Sequence, residues 1–182
     1  SQSSLMKTAA LISQFKQIDI CLADSNKYNF SIDEFFDDFK ASYSKNLATH
    51  IFEYEVEAGL SCHSKSALWQ VMTQLVDNSL EHGFINRDKG KIGIHVASND
   101  ENIIINYQDD GCGISASEKK SVFEPFFSTQ RDSGKVGLGL NVIYNTITNS
   151  YNGTIKLLNS PVGVRYEITI PKAAEENTLF AE

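Results

Sequence analysis

The chain has 182 residues, of which 41% are apolar and 21% charged, with a formal net charge of −7. That length fits one domain with a core of its own, and the apolar fraction excludes a disordered chain. No apolar run approaches the roughly 20 residues of a membrane-spanning helix, and no basic stripe offers a surface to nucleic acid.

The first residues, Ser1-Gln2-Ser3-Ser4, contain neither an initiator methionine nor a signal peptide, as expected of a segment from a longer protein. Leu5, Ala9, Ile12, Phe15 and Ile18 then recur near every 3.6 residues, which predicts a helix. Ser31 with Glu34 makes a capping box, opening a second helix whose Ile32, Phe35, Phe36 and Phe39 form its apolar side. From Phe52 to Glu57 every second residue is a carboxylate, the pattern of a strand with one dry face. A long helix is predicted over residues 64–82 on Leu68, Val71, Met72, Leu75, Val76 and Leu80. Strands are predicted over 91–97 and 103–107, a helix over 140–147, and strands over 154–158 and 164–170. Alternation in most of these strands leaves one sheet face polar, so helices cover only the other. The expected fold is a two-layer α/β sandwich with a mixed sheet, in which Ile103-Ile104-Ile105 marks the central strand. Cys21, Cys62 and Cys112 include no Cys-x-x-Cys pair and read as reduced thiols of a cytoplasmic protein.

Four stretches carry chemistry. On a helix, Gln74, Asn78 and His82 fall on one face beside Glu81, a polar ridge able to supply oxygen and nitrogen ligands, or simply a solvated face. Asp109-Asp110-Gly111-Cys112-Gly113-Ile114 follows the central strand. Its glycines permit close approach to a flat ligand, and a carboxylate there can accept from an exocyclic amine; an Asp-Gly turn without a ligand has the same sequence. Phe123 to Phe127 set three aromatics around Pro125, which suits either a segment that lifts or a plain apolar anchor. Gly134-Lys135-Val136-Gly137-Leu138-Gly139-Leu140 opens a helix and can bind an anion, although it is neither a Walker A loop nor a Rossmann fingerprint.

In this order the four stretches resemble the asparagine, first glycine, phenylalanine and second glycine boxes of the ATP-binding domain of sensor histidine kinases. That domain belongs to the superfamily shared with gyrase, the heat-shock chaperone ATPase and mismatch-repair ATPases, and its sandwich is the Bergerat fold. Residues 1–20 are similar to the tail of the second dimerisation helix, leaving 21–182 as the catalytic domain with a lid at about 115–136.

The resemblance implies that Asn78 coordinates the magnesium bridging the ATP phosphates and that Asp109 accepts from the adenine amino group, with Gly111, Gly113 and Ile114 beside the base. Glu81 and His82 would lie near the nucleotide, His82 over adenine or ribose. Phe126, Arg131 and Lys135 belong to the lid, the two cations as phosphate contacts. Gly137 and Gly139 would offer amides to the phosphates, with Leu138 and Leu140 packed nearby. Gln74 stands where hydrolysing members carry a glutamate; a neutral amide takes no proton, which favours phosphoryl transfer over hydrolysis. His50, His63, His82 and His95 lack the acceptor motif, so the phosphorylated histidine is expected upstream, in a dimerisation domain outside this chain. By the same likeness the parent is a homodimer, facing the cytoplasm from the inner membrane, with a response regulator downstream. An ATP-driven conformational switch and a degenerate nucleotide-binding module are the alternatives.

Overall fold

In a computed structural model describing residues 29–115, 118, 119, 122 and 139–172, the strand alternation and the helical stripes meet in a single core. In chain order the elements are β1 (Phe30–Ser31), α1 (Ile32–Ser42), β2 (Ile51–Val56), β3 (Ser61–Cys62) and α2 (Lys65–Asn78). They continue with β4 (Lys91–Ser98), β5 (Asn102–Asp109), α3 (Gly139–Tyr151), β6 (Thr154–Leu158) and β7 (Arg165–Pro171). The first predicted helix, most of the lid, and Phe126, Arg131, Lys135, Gly137 and Leu138 lie outside the described residues.

The larger sheet is mixed, ordered β2-β4-β5-β7-β6, with β2 parallel to β4 and the other neighbours antiparallel. β5 is the third of the five, so the isoleucine run does mark the central strand. Register places Tyr54, Ile94, Tyr107, Tyr166 and Leu157 in one cross-strand row, and Val96, Ile105, Ile168 and Ile155 in the next. These rows face the helices and are mostly buried. The opposite face carries Glu55, His95, Asn106, Glu167 and Lys156 in a single row. A one-residue slip would exchange the two sets, so burial of one face fixes the register.

α1 begins as its sequence predicts, with the Ser31 hydroxyl accepting the Glu34 amide at 3.4 Å. Its Ile32, Phe35, Phe36 and Phe39 are fully buried, and Phe39 stacks on Tyr43 at 4.6 Å and meets Trp69 edge-on at 5.1 Å. β1 and β3 pair as a short antiparallel ribbon in front of α1 and α2; two-residue strands carry no periodicity to announce them. α2 and α3 lie side by side and antiparallel. Tyr151 of α3 donates to the Ser64 carbonyl at 2.7 Å, and Thr146 donates to Gln70 Oε1 at 3.1 Å.

Candidate functional site

Antiparallel packing brings the last turn of α2 against the first residue of α3. A methyl group built on Gly139 would stand 2.9 Å from Gln74 Oε1 and 3.3 Å from Asn78 Oδ1. The two side-chain amides therefore face the opening of α3, where first-turn N–H groups and the helix dipole favour an anion. Leu140, next along, is partly buried and packs against the core.

The predicted helix over 64–82 is α-helical only to Asn78. From Ser79 to Gly83 the chain widens into a π turn, seen in the Phe84 amide donating to the Ser79 carbonyl five residues back at 2.8 Å. Gln74 and Asn78 thus lie on the α-helix and His82 within the π turn. The cause is a backbone contact: a Cβ on Gly111 would lie 2.7 Å from Gly83 Cα, and the Cys112 amide donates to the Gly83 carbonyl at 2.9 Å. The wide turn lets the end of the helix meet the loop after β5. Glu81 is exposed; His82 is half-buried, its Nδ1 lacking a hydrogen-bond partner among the described residues.

Asp109 is the last residue of β5 rather than a loop residue, and period two turns it inward, where it is 3% exposed. Its Oδ1 accepts the amides of Gly111 at 3.0 Å and Val164 at 3.1 Å. Oδ2 accepts the Ser79 hydroxyl at 2.5 Å. Ser79 Oγ lies 2.7 Å from the Tyr107 hydroxyl, which also reaches the Leu75 carbonyl at 3.1 Å. Gly163 seals the other side at φ +63°, with space for no side chain: a Cβ there would fall 2.0 Å from the Asp109 carbonyl oxygen. Gly113 and Ile114 follow in the loop and line a cavity of about 120 Å³ with Gly163 and Val164.

Asp110 points the opposite way. Its Oδ1 accepts the Lys91 amide at 2.8 Å, its Oδ2 takes Arg87 Nη2 at 3.0 Å, and Arg87 Nη1 donates to its carbonyl. Partial burial raises the Asp110 pKa, but the Lys91 amide and Arg87 outweigh it and hold the carboxyl below its ordinary value. The clamp ties the loop after β5 to the segment that follows the π turn.

Of the expected site residues, Gln74, Asn78 and Gly139 come together, and Asp109 joins them through Ser79, the residue after Asn78. Ser79, Tyr107 and Gly163 are site residues missed at the level of sequence. Period two had already placed Tyr107 on the face of Asp109, so one of the three was within reach. A magnesium ion fits the donors: Asn78 offers a hard, neutral amide oxygen. Among the described residues no group of three His, Cys, Asp or Glu side chains could hold a metal unaided. An ion here would draw its remaining ligands from phosphates and water, as magnesium does.

A one-sided mixed sheet, a helix-borne amide pair against a second helix's start, and a buried strand-end carboxylate together define an ATP-binding domain of the Bergerat type. Residues 63–174 match the family described as histidine kinase-, DNA gyrase B- and HSP90-like ATPases, and the chain belongs to that family as a histidine kinase catalytic domain. It is 32% identical over 108 residues to the sensor protein CiaH of Streptococcus pneumoniae, covering 57% of this chain and 23% of CiaH. Similarity to the sensor histidine kinase CpxA of Escherichia coli is 32% identity over 111 residues, 58% of this chain and 23% of CpxA. The chain thus spans about a quarter of the length of the curated relatives it matches. The solved catalytic domain of histidine kinase ThkA superposes with a TM-score of 0.70 at 25% identity, covering 80% of this chain and 95% of that one.

Proposed function

We propose that this domain binds Mg-ATP between Asn78, Asp109 and the start of α3 and passes the γ-phosphoryl group to a histidine on a separate dimerisation segment. The supporting observation is that the amides of Gln74 and Asn78 meet Gly139 while the next residue, Ser79, holds the buried Asp109 carboxylate. Asp109 takes the exocyclic amine of the base. Asn78 would hold the magnesium, which when bound neutralises the phosphate oxygens. Backbone amides opening α3, with Gly137, Arg131 and Lys135 assigned by resemblance, orient the triphosphate.

Gln74 has no basic site to activate water, which favours transfer to a positioned nucleophile over hydrolysis. None of the four histidines suits the acceptor role. His50 accepts the Gly90 amide at 3.0 Å and stacks on Phe84, and His63 Nε2 lies 3.2 Å from the Ser150 carbonyl. His95 stands on the polar face of the sheet, away from the site, and His82 belongs to the site itself. The acceptor is therefore assigned to a histidine of the parent's dimerisation helices, with a response regulator receiver domain next in the relay. The solved complex of histidine kinase ThkA with the response regulator TrrA is a precedent for such a partner in a chain of similar fold, at TM-score 0.68 and 22% identity. Among the described residues no helix is long and apolar enough to cross a membrane.

The test is to mix the domain with a fragment bearing the parent's acceptor helices and γ-labelled ATP. Label on a histidine supports the proposal; ATP turnover without label indicates a conformational ATPase, and neither outcome indicates a module that only binds. Asn78→Asp should lower labelling at least about 100-fold, since a metal ligand displaced or recharged by one atom loses its geometry. Unchanged labelling would remove Asn78 from the metal site.

A further inference from the structure

We infer that Tyr107 and Ser79 are positioning residues that aim the Asp109 carboxylate and thereby set the preference for a 6-amino purine over a 6-oxo purine. The inference rests on the assignment of Asp109 to base recognition. Both side chains are almost wholly buried, Tyr107 at 0% and Ser79 at 2% exposed, and neither faces the amide pair at Gly139. An apolar residue at either position would fill the same space without a polar atom to satisfy.

The hydrogen bonds define the role. Oδ1 of Asp109 is occupied by the Gly111 and Val164 amides, so the carboxylate offers a ligand only Oδ2. One acceptor direction of Oδ2 is taken by Ser79 at 2.5 Å, leaving the other for an amine. Ser79 has a single hydroxyl proton; while it points at Oδ2, the Ser79 oxygen keeps lone pairs that can only accept. The Tyr107 hydroxyl at 2.7 Å serves them, being closer to Ser79 than to the Leu75 carbonyl at 3.1 Å. The Leu75 carbonyl also accepts the Ser79 backbone amide, so it keeps a partner when the single phenol proton turns to Ser79 Oγ. Burial first of all, then the Asp109 charge, push the Tyr107 phenol well above its ordinary pKa, keeping it protonated as a donor. The row Tyr107–Ser79–Asp109 fixes the rotation of the carboxylate, and with it the direction of the free lone pair.

An amine at the purine 6-position donates into that lone pair, whereas a 6-oxo group opposes it oxygen to oxygen. Loosening the carboxylate should therefore weaken amine recognition and relieve the repulsion of the oxo group.

Dissociation constants of Mg-ADP and Mg-IDP are to be measured by calorimetry for the wild-type chain, Tyr107→Phe and Ser79→Ala, with thermal unfolding of each to confirm the fold. The wild type is expected to prefer ADP. Ser79→Ala should cut the ADP/IDP ratio about tenfold, the scale of one hydrogen bond to a charged group, and Tyr107→Phe by a smaller factor in the same direction. A general loss of packing would weaken both nucleotides equally and leave the ratio unmoved, which would overturn the inference. So would a preserved ratio with preserved affinity. If the wild type itself shows no preference, the assignment of Asp109 to the base fails, and the positioning role falls with it. If the preference is present but indifferent to both variants, the positioning role alone fails.

Discussion

At Gly163 the requirement is for the absence of an atom. Its φ of +63° is one that a side chain strains to adopt, and the space where a Cβ would sit is held by the Asp109 carbonyl at 2.0 Å and Oδ1 at 2.5 Å. Gly163→Ala should destabilise the domain by about 1–3 kcal/mol in urea titration and weaken nucleotide binding as Asp109 is displaced. Gly93 provides the control: it lies on the open face of the sheet, and a Cβ there meets nothing within 4 Å. Gly93→Ala should change stability by less than about 0.5 kcal/mol. An equal effect at both positions would mean that the contact with Asp109 is not what Gly163 protects.

Among the elements, α2 and its π turn do the positioning. Gln74 and Asn78 ride on the last regular turn, and the widened turn after them brings Ser79 to Asp109 and Gly83 to Gly111. The Asp110 clamp to Lys91 and Arg87 holds the far side of the same junction. Because the Asp110 pKa is depressed in the folded state, its stabilisation is present above the ordinary carboxylate value and is lost as pH falls through the depressed one. Asp110→Asn should therefore cost stability at neutral pH and converge with the wild type in acid, tracked by urea midpoints at a series of pH values. The Asp110–Arg87 pair is 39% and 41% exposed, so the difference should stay below about 1 kcal/mol. A gap that widens in acid would contradict the clamp.

For the whole molecule, one-sided covering of the sheet decides what solvent reaches. Cys62 lies in the core, where burial pushes its thiol up to about 12 against the lowering effect of the His63 backbone and Tyr151, while Cys112 in the loop is exposed. In a Cys21→Ser background at pH 8, a thiol reagent should modify Cys112 about 100-fold or more faster than Cys62, because the thiolate is the reacting form. Cys62 should follow only at the rate of global opening, so labelling doubles as a measure of stability. Comparable rates at the two positions would show that the ribbon of β1 and β3 opens locally.

Residue order alone was enough for the periods of the long helices and strands, the one-sided sheet and the central isoleucine strand. Those properties are local: side-chain spacing selects helix or strand, and residue type selects donor or acceptor. The break of α2 at Asn78, the β1–β3 ribbon, the inward turn of Asp109 within its strand and the hydroxyl pair beneath it belong to the tertiary structure. Each depends on two segments distant in sequence reaching the same few ångströms, Gly83 against Gly111 and Gly163 against Asp109 above all. That proximity is set by sheet register and helix packing together, which no window along the chain contains.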